Sequence, residues 1–364
     1  MARWVDDRPA LNDALAALRA SSRLALDTEF ERIRTYWPKL ALVQAMLADD
    51  AVLIDPLAFD VLHDLGDAIS QPGQTWLMHS PSEDLVALAP LLPRPPEALF
   101  DTQLAAALAG LGTGLGYQKL VALVLGVELE KTETRSDWMQ RPLSDRQFAY
   151  AADDVVHLDA LGDALLERLD ALGRRTWIAQ EGERTLRAAF AAGTPVNLHH
   201  DYRSAWKLDL DAQRRLDAVL RWREQTARDS DRPKPWVIDN QVAHDLAAKP
   251  PTQAAELQRM LQAQRAFPRA KSGDLLELLR DPPRHDDFVP APKPFSRDEE
   301  AALERLKAGI EAEATALGLE PALLAPRKAQ EARLRAGAWP SDLPAWRRER
   351  LDVIARNTLA AAPG

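Results

Sequence analysis

Leu24-Ala25-Leu26-Asp27-Thr28-Glu29-Phe30 is an apolar run that ends on two acids, and its reading decides the fold. Short and leucine-rich, it predicts a strand. Side chains alternate across a strand, so residues two apart share a face. Asp27 and Glu29 therefore point the same way from the strand's end. Two like charges this close repel unless a cation sits between them. The other reading of the pair is an acidic strand end running into a solvated loop.

Outward from this run, Leu40–Leu47, Ala51–Asp55 and Thr75–Met78 also read as strands. Only Ala48, Asp49 and Asp50 separate the first two of these, a hairpin length that implies an antiparallel pair. Helical patterns follow at Asp84–Leu92, Thr102–Ala109, Tyr117–Leu125 and from Ser144 to about Leu172. Ser144 with Gln147 three residues on has the form of a capping box. Three antiparallel strands followed by β-α units predict an α/β domain with a mixed sheet.

Two further acidic segments accompany the first. In Trp76-Leu77-Met78-His79-Ser80-Pro81-Ser82-Glu83-Asp84-Leu85 a strand ends and a helix begins, with Asp84 in its first turn. An isolated Asp there serves equally to offset the helix macrodipole. Asp101, in Leu99-Phe100-Asp101-Thr102-Gln103, has the place of a helix cap, and His79 that of a residue closing a strand end. In Tyr150-Ala151-Ala152-Asp153-Asp154 the tyrosine and Asp154 stand four apart, on one face of a helix.

The chain changes character after Gly193-Thr194-Pro195. No strand series follows, only helical periodicity, broken at Asp281-Pro282-Pro283 and on to Pro294 by a proline-rich stretch with the composition of a semi-rigid linker. The expected organisation is 1–195, 200–282 and 295–360. Of the 364 residues none is cysteine, which excludes disulfides, thiolate zinc sites and a cysteine nucleophile, and fits a reducing cytoplasm. The first apolar stretches are interrupted by Asp6, Asp7, Arg8, Asp13 and Arg19, so neither a secretory signal nor a membrane span is expected. The net charge of −9 is uneven, about −11 over residues 1–195 and about +2 beyond. An acidic excess suits a site that holds metal cations, and it equally suits an ordinary acidic surface.

In this order and at these intervals the segments resemble the DEDD exonucleases of the tyrosine subclass. Asp27-Thr28-Glu29-Phe30, Leu42-Val43-Gln44, Ile54-Asp55-Pro56, Phe100-Asp101-Thr102-Gln103, Ser136-Asp137-Trp138 and Arg141-Pro142-Leu143 narrow the resemblance to the ribonuclease D family over the first ~190 residues. Behind them, Trp222-Arg223-Glu224, Ala227-Arg228, Asp231-Arg232-Pro233 and Trp236-Val237-Ile238 resemble an HRDC domain. The Leu334-to-Leu351 region, with Trp346-Arg347, looks like a divergent second one.

The resemblance implies a ribonuclease H-like exonuclease domain followed by two all-α HRDC-type domains. It implies Asp27, Glu29, Asp84 and Asp154 as ligands of two divalent cations, Mg²⁺ or Mn²⁺, and Tyr150 as the residue that positions or deprotonates the attacking water. Thr28 and Phe30 are then expected at the terminal sugar or base, with His79 and Gln103 orienting groups nearby. In the first helical domain Arg221, Arg223, Arg228, Arg232 and Lys234 are candidates for RNA binding. The implied activity is stepwise 3′→5′ removal of nucleoside 5′-monophosphates from RNA with a free 3′ end, transfer RNA precursors foremost, by a cytoplasmic monomer. The rivals are the same chemistry on DNA, a non-catalytic RNA-binding scaffold, and an interaction protein with acids on its surface.

Overall fold

The computed structural model describes residues 2–58, 62–130, 136–191 and 196–359. The chain divides into two compact units. The first comprises Met1–Glu31, Leu40–Ala191 and Phe295–Gly364, and the second Arg32–Lys39 and Ala192–Pro294.

In the first unit the order is β1 (Ala2–Val5), α1 (Arg8–Ala20), β2 (Arg23–Glu31), β3 (Lys39–Leu47), β4 (Asp50–Ile54), α2 (Leu62–Ile69), β5 (Thr75–Met78) and α3 (Ser82–Leu88). Next come β6 (Ala98–Asp101), α4 (Thr102–Leu108), α5 (Tyr117–Leu125), α6 (Asp145–Val156), α7 (Leu158–Ala171) and α8 (Arg175–Ala189). The six strands form one sheet in the order β1-β4-β3-β2-β5-β6. β3 and β4 pair antiparallel, whereas β1 runs parallel to β4, β2 to β5 and β5 to β6. This is the expected mixed sheet.

The alternation of β2 divides the interior. Leu24 and Leu26 enter a core with Leu11 and Leu18 of α1 and with Leu65 and Ile69 of α2. Ala25 enters the opposite core, with Leu120 of α5 and Leu161 and Leu165 of α7. The strand that carries Asp27 and Glu29 is thus covered on both faces, and parallel sheets are stable when covered so.

Several boundaries differ from the sequence expectation. The strands β1 and β6 and the helices α1, α2 and α8 were not anticipated; each of these two strands is only four residues long. The β3–β4 turn is Ala48-Asp49, because Leu47 pairs with Asp50, and Ala48 takes a left-handed backbone with φ 52°. The single helix expected from Ser144 to about Leu172 is two, α6 and α7, separated at His157 (φ −101°, ψ −3°) with no glycine or proline to mark the break. Ser144 does cap α6, and its capping box with Gln147 is complete.

The C-terminal helices α14 (Arg297–Leu317), α15 (Pro321–Leu324), α16 (Arg327–Ala336) and α17 (Ala345–Leu359) follow the second unit in the chain. Sequence reading set residues 295–360 apart; the described part shares the first unit. Leu306, Ile310 and Leu351 join the core of α5 and α7. Trp346 stacks on Trp177 of α8 at 4.3 Å and 5°.

The second unit holds α9 (Leu210–Ser230), α10 (Lys234–Val237), α11 (Asn240–Ala248), α12 (Ala254–Met260) and α13 (Ser272–Arg280). Its core centres on Leu216, Val219 and Leu220 of α9 with Leu246, Leu257 and Leu275. The proline-rich stretch does not run free. Val289 accepts from His199 and His200, at 3.0 and 2.8 Å, while its N–H and that of Ala291 donate to Asn197 and Gln213. Backbone amides and carbonyls thus tie it down. The expected break at Gly193-Thr194-Pro195 lies outside the described residues.

Candidate active site

Asp27 and Glu29 leave β2 on one face, as the alternation requires. Facing them is α6, whose Asp154 completes a triple: one carboxylate oxygen from each of Asp27, Glu29 and Asp154 lies within 4.8 Å of the others. Asp84, in the first turn of α3, stands outside this triple, yet its charge raises the pKa of all three. Thr28 alternates to the other face of β2, where its hydroxyl donates to Asp84. Phe30, on the same side as Thr28, packs against the core under α3. The structure therefore gives Thr28 and Phe30 supporting contacts from behind Asp84.

Electrostatics follow from burial without a counter-charge. Burial first, then the charges of Asp84, Asp154 and Glu29, hold Asp27 well above the ordinary carboxylate range. Burial, then Asp154 and Asp84, pushes Glu29 to about 9. Asp154 rises to about 7, from burial and then from Asp153 and Asp84, although Tyr150 donates a hydrogen bond to it. The same neighbours act on Tyr150: burial and then Asp154 raise its phenol well above its usual value, so it remains a hydrogen-bond donor.

The segment before α6 explains several motif residues that carry no chemistry. Arg141 grips Asp55 with two parallel bonds, Nε to Oδ2 at 2.6 Å and Nη2 to Oδ1 at 2.7 Å, and also donates to the carbonyls of Ala41 and Trp138. A planar guanidinium matches a carboxylate in this way. Gln147, besides closing the cap, donates to the Asp137 carbonyl at 3.1 Å. Trp138, thereby fixed, lies with its ring 6.0 Å from that of Tyr150. The Ser136-Asp137-Trp138 and Arg141-Pro142-Leu143 runs are thus the brace that orients Tyr150.

His79 and Gln103 have protein partners of their own. His79 Nδ1 meets Thr102 Oγ1 at 2.9 Å, and burial lowers the imidazole to about 4, so it is neutral. Gln103 donates to the Leu115 carbonyl at 3.0 Å, and it lines a cleft of about 360 Å³ together with Ser80, Ser82, Thr113 and Arg184. Asp101 is the expected cap, accepting from the N–H groups of Ser80, Gln103 and Leu104. No motif pointed to Tyr117, a buried residue whose ring meets that of His79 edge-on at 5.6 Å.

In the second unit the basic candidates already have protein partners. Arg221 pairs with Asp217 at 2.6 Å and with Asp287 at 3.5 Å. Arg223 donates to the Ile238 carbonyl and to Asn240. Arg228 and Lys234 converge on buried Glu224, which also accepts from the Tyr36 hydroxyl. Arg232 reaches the Arg34 carbonyl at 3.4 Å. Trp222 packs partly buried, its ring 5.8 Å from that of Phe267.

A family described as a 3′-5′ exonuclease matches residues 2–170, and the HRDC domain family matches residues 212–278. A ribonuclease D of Xanthomonas oryzae is 42% identical over 368 residues, covering 100% of this chain and 99% of its own. The chain belongs to the ribonuclease D family. A ribonuclease D of Pseudomonas paraeruginosa is 33% identical, covering 99% of this chain and 98% of its own. The crystal structure of Escherichia coli RNase D, described as an exoribonuclease involved in structured RNA processing, superposes with a TM-score of 0.85 at 27% identity over 100% of both chains. This ribonuclease D-family chain is accordingly a 3′→5′ exoribonuclease that uses divalent metal. Among the described residues no helix is long and apolar enough to cross a membrane.

Proposed function

We propose that this exoribonuclease removes nucleoside 5′-monophosphates one at a time from RNA 3′ ends, with Asp27, Glu29, Asp84 and Asp154 as the ligands of two Mg²⁺ or Mn²⁺ ions. One observation carries the assignment: three carboxylates crowd within 4.8 Å, partly buried, and repel one another. Oxygen-only ligands suit hard cations of this kind. When bound, such ions supply water activation and charge compensation at the phosphate and leaving oxygen. Tyr150 positions the attacking water, its phenol oxygen accepting from the water while its one proton is donated to Asp154. Thr28 keeps Asp84 aimed at the site, and the brace of Trp138, Arg141 and Gln147 keeps Tyr150 in place.

The cleft beside Gln103, with its Ser80, Ser82 and Thr113 hydroxyls and Arg184, is suited to the sugar-phosphate of the strand being trimmed. The Escherichia coli relative's role in structured RNA points to transfer RNA precursors as substrates. The activity is assigned to a cytoplasmic monomer. Its three parts are the exonuclease segment 1–195, an HRDC domain at 200–282 and an HRDC-like segment at 295–360.

The test uses end-labelled RNA and DNA of one sequence, with Mg²⁺, Mn²⁺ or EDTA. RNA should shorten stepwise from the 3′ end. Shortening should stop with EDTA and with Asp27→Asn or Asp154→Asn. Activity that survives either substitution would overturn the ligand assignment, and equal digestion of DNA would overturn the RNA preference.

A further inference from the structure

From the end of β2 to the start of β3 the chain reads Arg32-Ile33-Arg34-Thr35-Tyr36-Trp37-Pro38-Lys39, three cations and two aromatics without an acid. It does so inside the stretch 1–195, whose net charge is about −11. Arg32, Ile33, Arg34 and Lys39 are exposed, Ile33 by 68%. The segment belongs to the second unit, where the end of α9 holds its backbone. Asp231, the C-cap of α9 in a left-handed conformation (φ 47°), accepts the N–H groups of Tyr36 and Trp37 on one carboxylate oxygen, each at 3.0 Å. Arg232 donates to the Arg34 carbonyl at 3.4 Å, and the Tyr36 hydroxyl donates to buried Glu224. The neighbouring acids are matched by other cations: Arg228 at 3.3 Å and Lys234 at 3.0 Å pair with Glu224, and Lys271 at 3.7 Å with Asp229. These bonds account for the shape of the segment and leave its exposed positive charge without a structural use.

Covalent geometry limits where that charge can lie. Arg32 follows Glu29 by three residues and Arg34 by five, so even a fully extended chain keeps their Cα atoms within about 11 and about 18 Å of that of Glu29. We propose that Arg32–Lys39 is an RNA-holding arm, its exposed cations pairing with phosphates behind the 3′-terminal nucleotide, Ile33 offering an apolar surface to a base, and Asp231 fixing its shape. Phosphate pairing positions a strand without reading its sequence. A local positive run also offsets the repulsion between RNA and an otherwise acidic domain. A backbone already pinned avoids the ordering cost that a free loop incurs on binding. The inference rests on Asp27, Glu29 and Asp154 marking the point of cleavage.

The experiment measures binding of a fluorescent single-stranded RNA to the full chain in EDTA across a salt series. It compares the wild type with Arg34→Gln, Arg34→Gln combined with Lys39→Gln, Asp231→Asn and Asp231→Gly. Each exposed cation removed should weaken binding and flatten the plot of log affinity against log salt by about 0.7, a slope that a purely structural role would not move. Trimming in Mg²⁺ should show the loss in KM rather than in kcat. Asparagine keeps the oxygen that accepts the two amides, whereas glycine keeps only the left-handed backbone. Both remove the same charge, so weaker binding by Asp231→Gly than by Asp231→Asn reports the shape of the arm. A wild-type salt slope and KM in the Arg34→Gln, Lys39→Gln chain would overturn the inference. Equal binding by the two Asp231 variants would overturn the role given to Asp231. Cleavage that persists in Asp27→Asn would instead fault the position of the cut, and with it the place given to the arm.

Discussion

Asp27, Glu29 and Asp154 hold opposite consequences for stability and for function. Burial and mutual repulsion raise them in the folded state, Glu29 to about 9 and Asp154 to about 7, whereas unfolded carboxyls titrate near ~4. Between those limits the folded protein holds protons that the unfolded chain has released, so stability falls as pH rises. The loss begins near the unfolded value and, for Glu29, continues to about 9. The melting temperature of EDTA-treated protein should therefore drop between pH 5 and pH 9, and added Mg²⁺ should restore it most at the alkaline end. A flat profile indifferent to Mg²⁺ would contradict the cluster's role. Tyr150→Phe tests the phenol separately: kcat should fall about 100-fold, the scale of a misplaced reactant, with KM little changed. An unaltered kcat would remove Tyr150 from the reaction. The pairing of Asp27 with Glu29 was legible because strand alternation is a local rule, and the same rule turns Thr28 and Phe30 to the opposite face. The hydrogen bond from Thr28 to Asp84 spans 56 residues and left no local mark.

At the scale of elements, capping was readable and packing was not. Ser144, Gln147 and Asp101 declared themselves because a cap is satisfied within a few residues. The strand β6 is legible only through its parallel partner β5 and through α8, which lies on it at Gly182. A Cβ at Gly182 would stand 2.0 Å from the Leu99 carbonyl oxygen, a backbone atom that cannot rotate away. Gly182→Ala must push α8 off the sheet edge, and overpacking of this sort costs typically about 1–3 kcal/mol. Urea denaturation should show that loss, and an unshifted midpoint would mean that the helix does not approach β6 so closely. The break between α6 and α7 at His157 likewise has no composition signal. Tertiary contacts set it, with Leu158, Leu161 and Leu165 of α7 packing into the core below the site.

For the whole molecule, sequence composition divided the chain at its proline-rich stretch and treated residues 295–360 as a separate module. In the structure the described part of that segment packs with the first unit. Glu181 of α8 is fully buried, and it accepts from Trp346 Nε1 at 3.0 Å and pairs with Arg347 at 2.6 Å. Arg184 at 3.0 Å is its other cation. Removing one partner of a buried ion pair costs about 3–5 kcal/mol when the charge is left uncompensated, and less at Glu181, which keeps Arg184 when Arg347 is removed. Deleting residues 295–364 does more, since Leu306, Ile310, Trp346 and Leu351 leave the core shared with α5 and α7. Each large apolar side chain contributes about 1.5–3 kcal/mol through burial, and the sum rivals the ~5–15 kcal/mol stability of a whole domain. A chain ending at Pro294 should therefore melt far below the full-length protein or aggregate on expression, and Arg347→Ala should lie between the two. Melting of the shortened chain at the full-length temperature would show the segment to be an appendage. A loss on deletion would make the segment part of the exonuclease body.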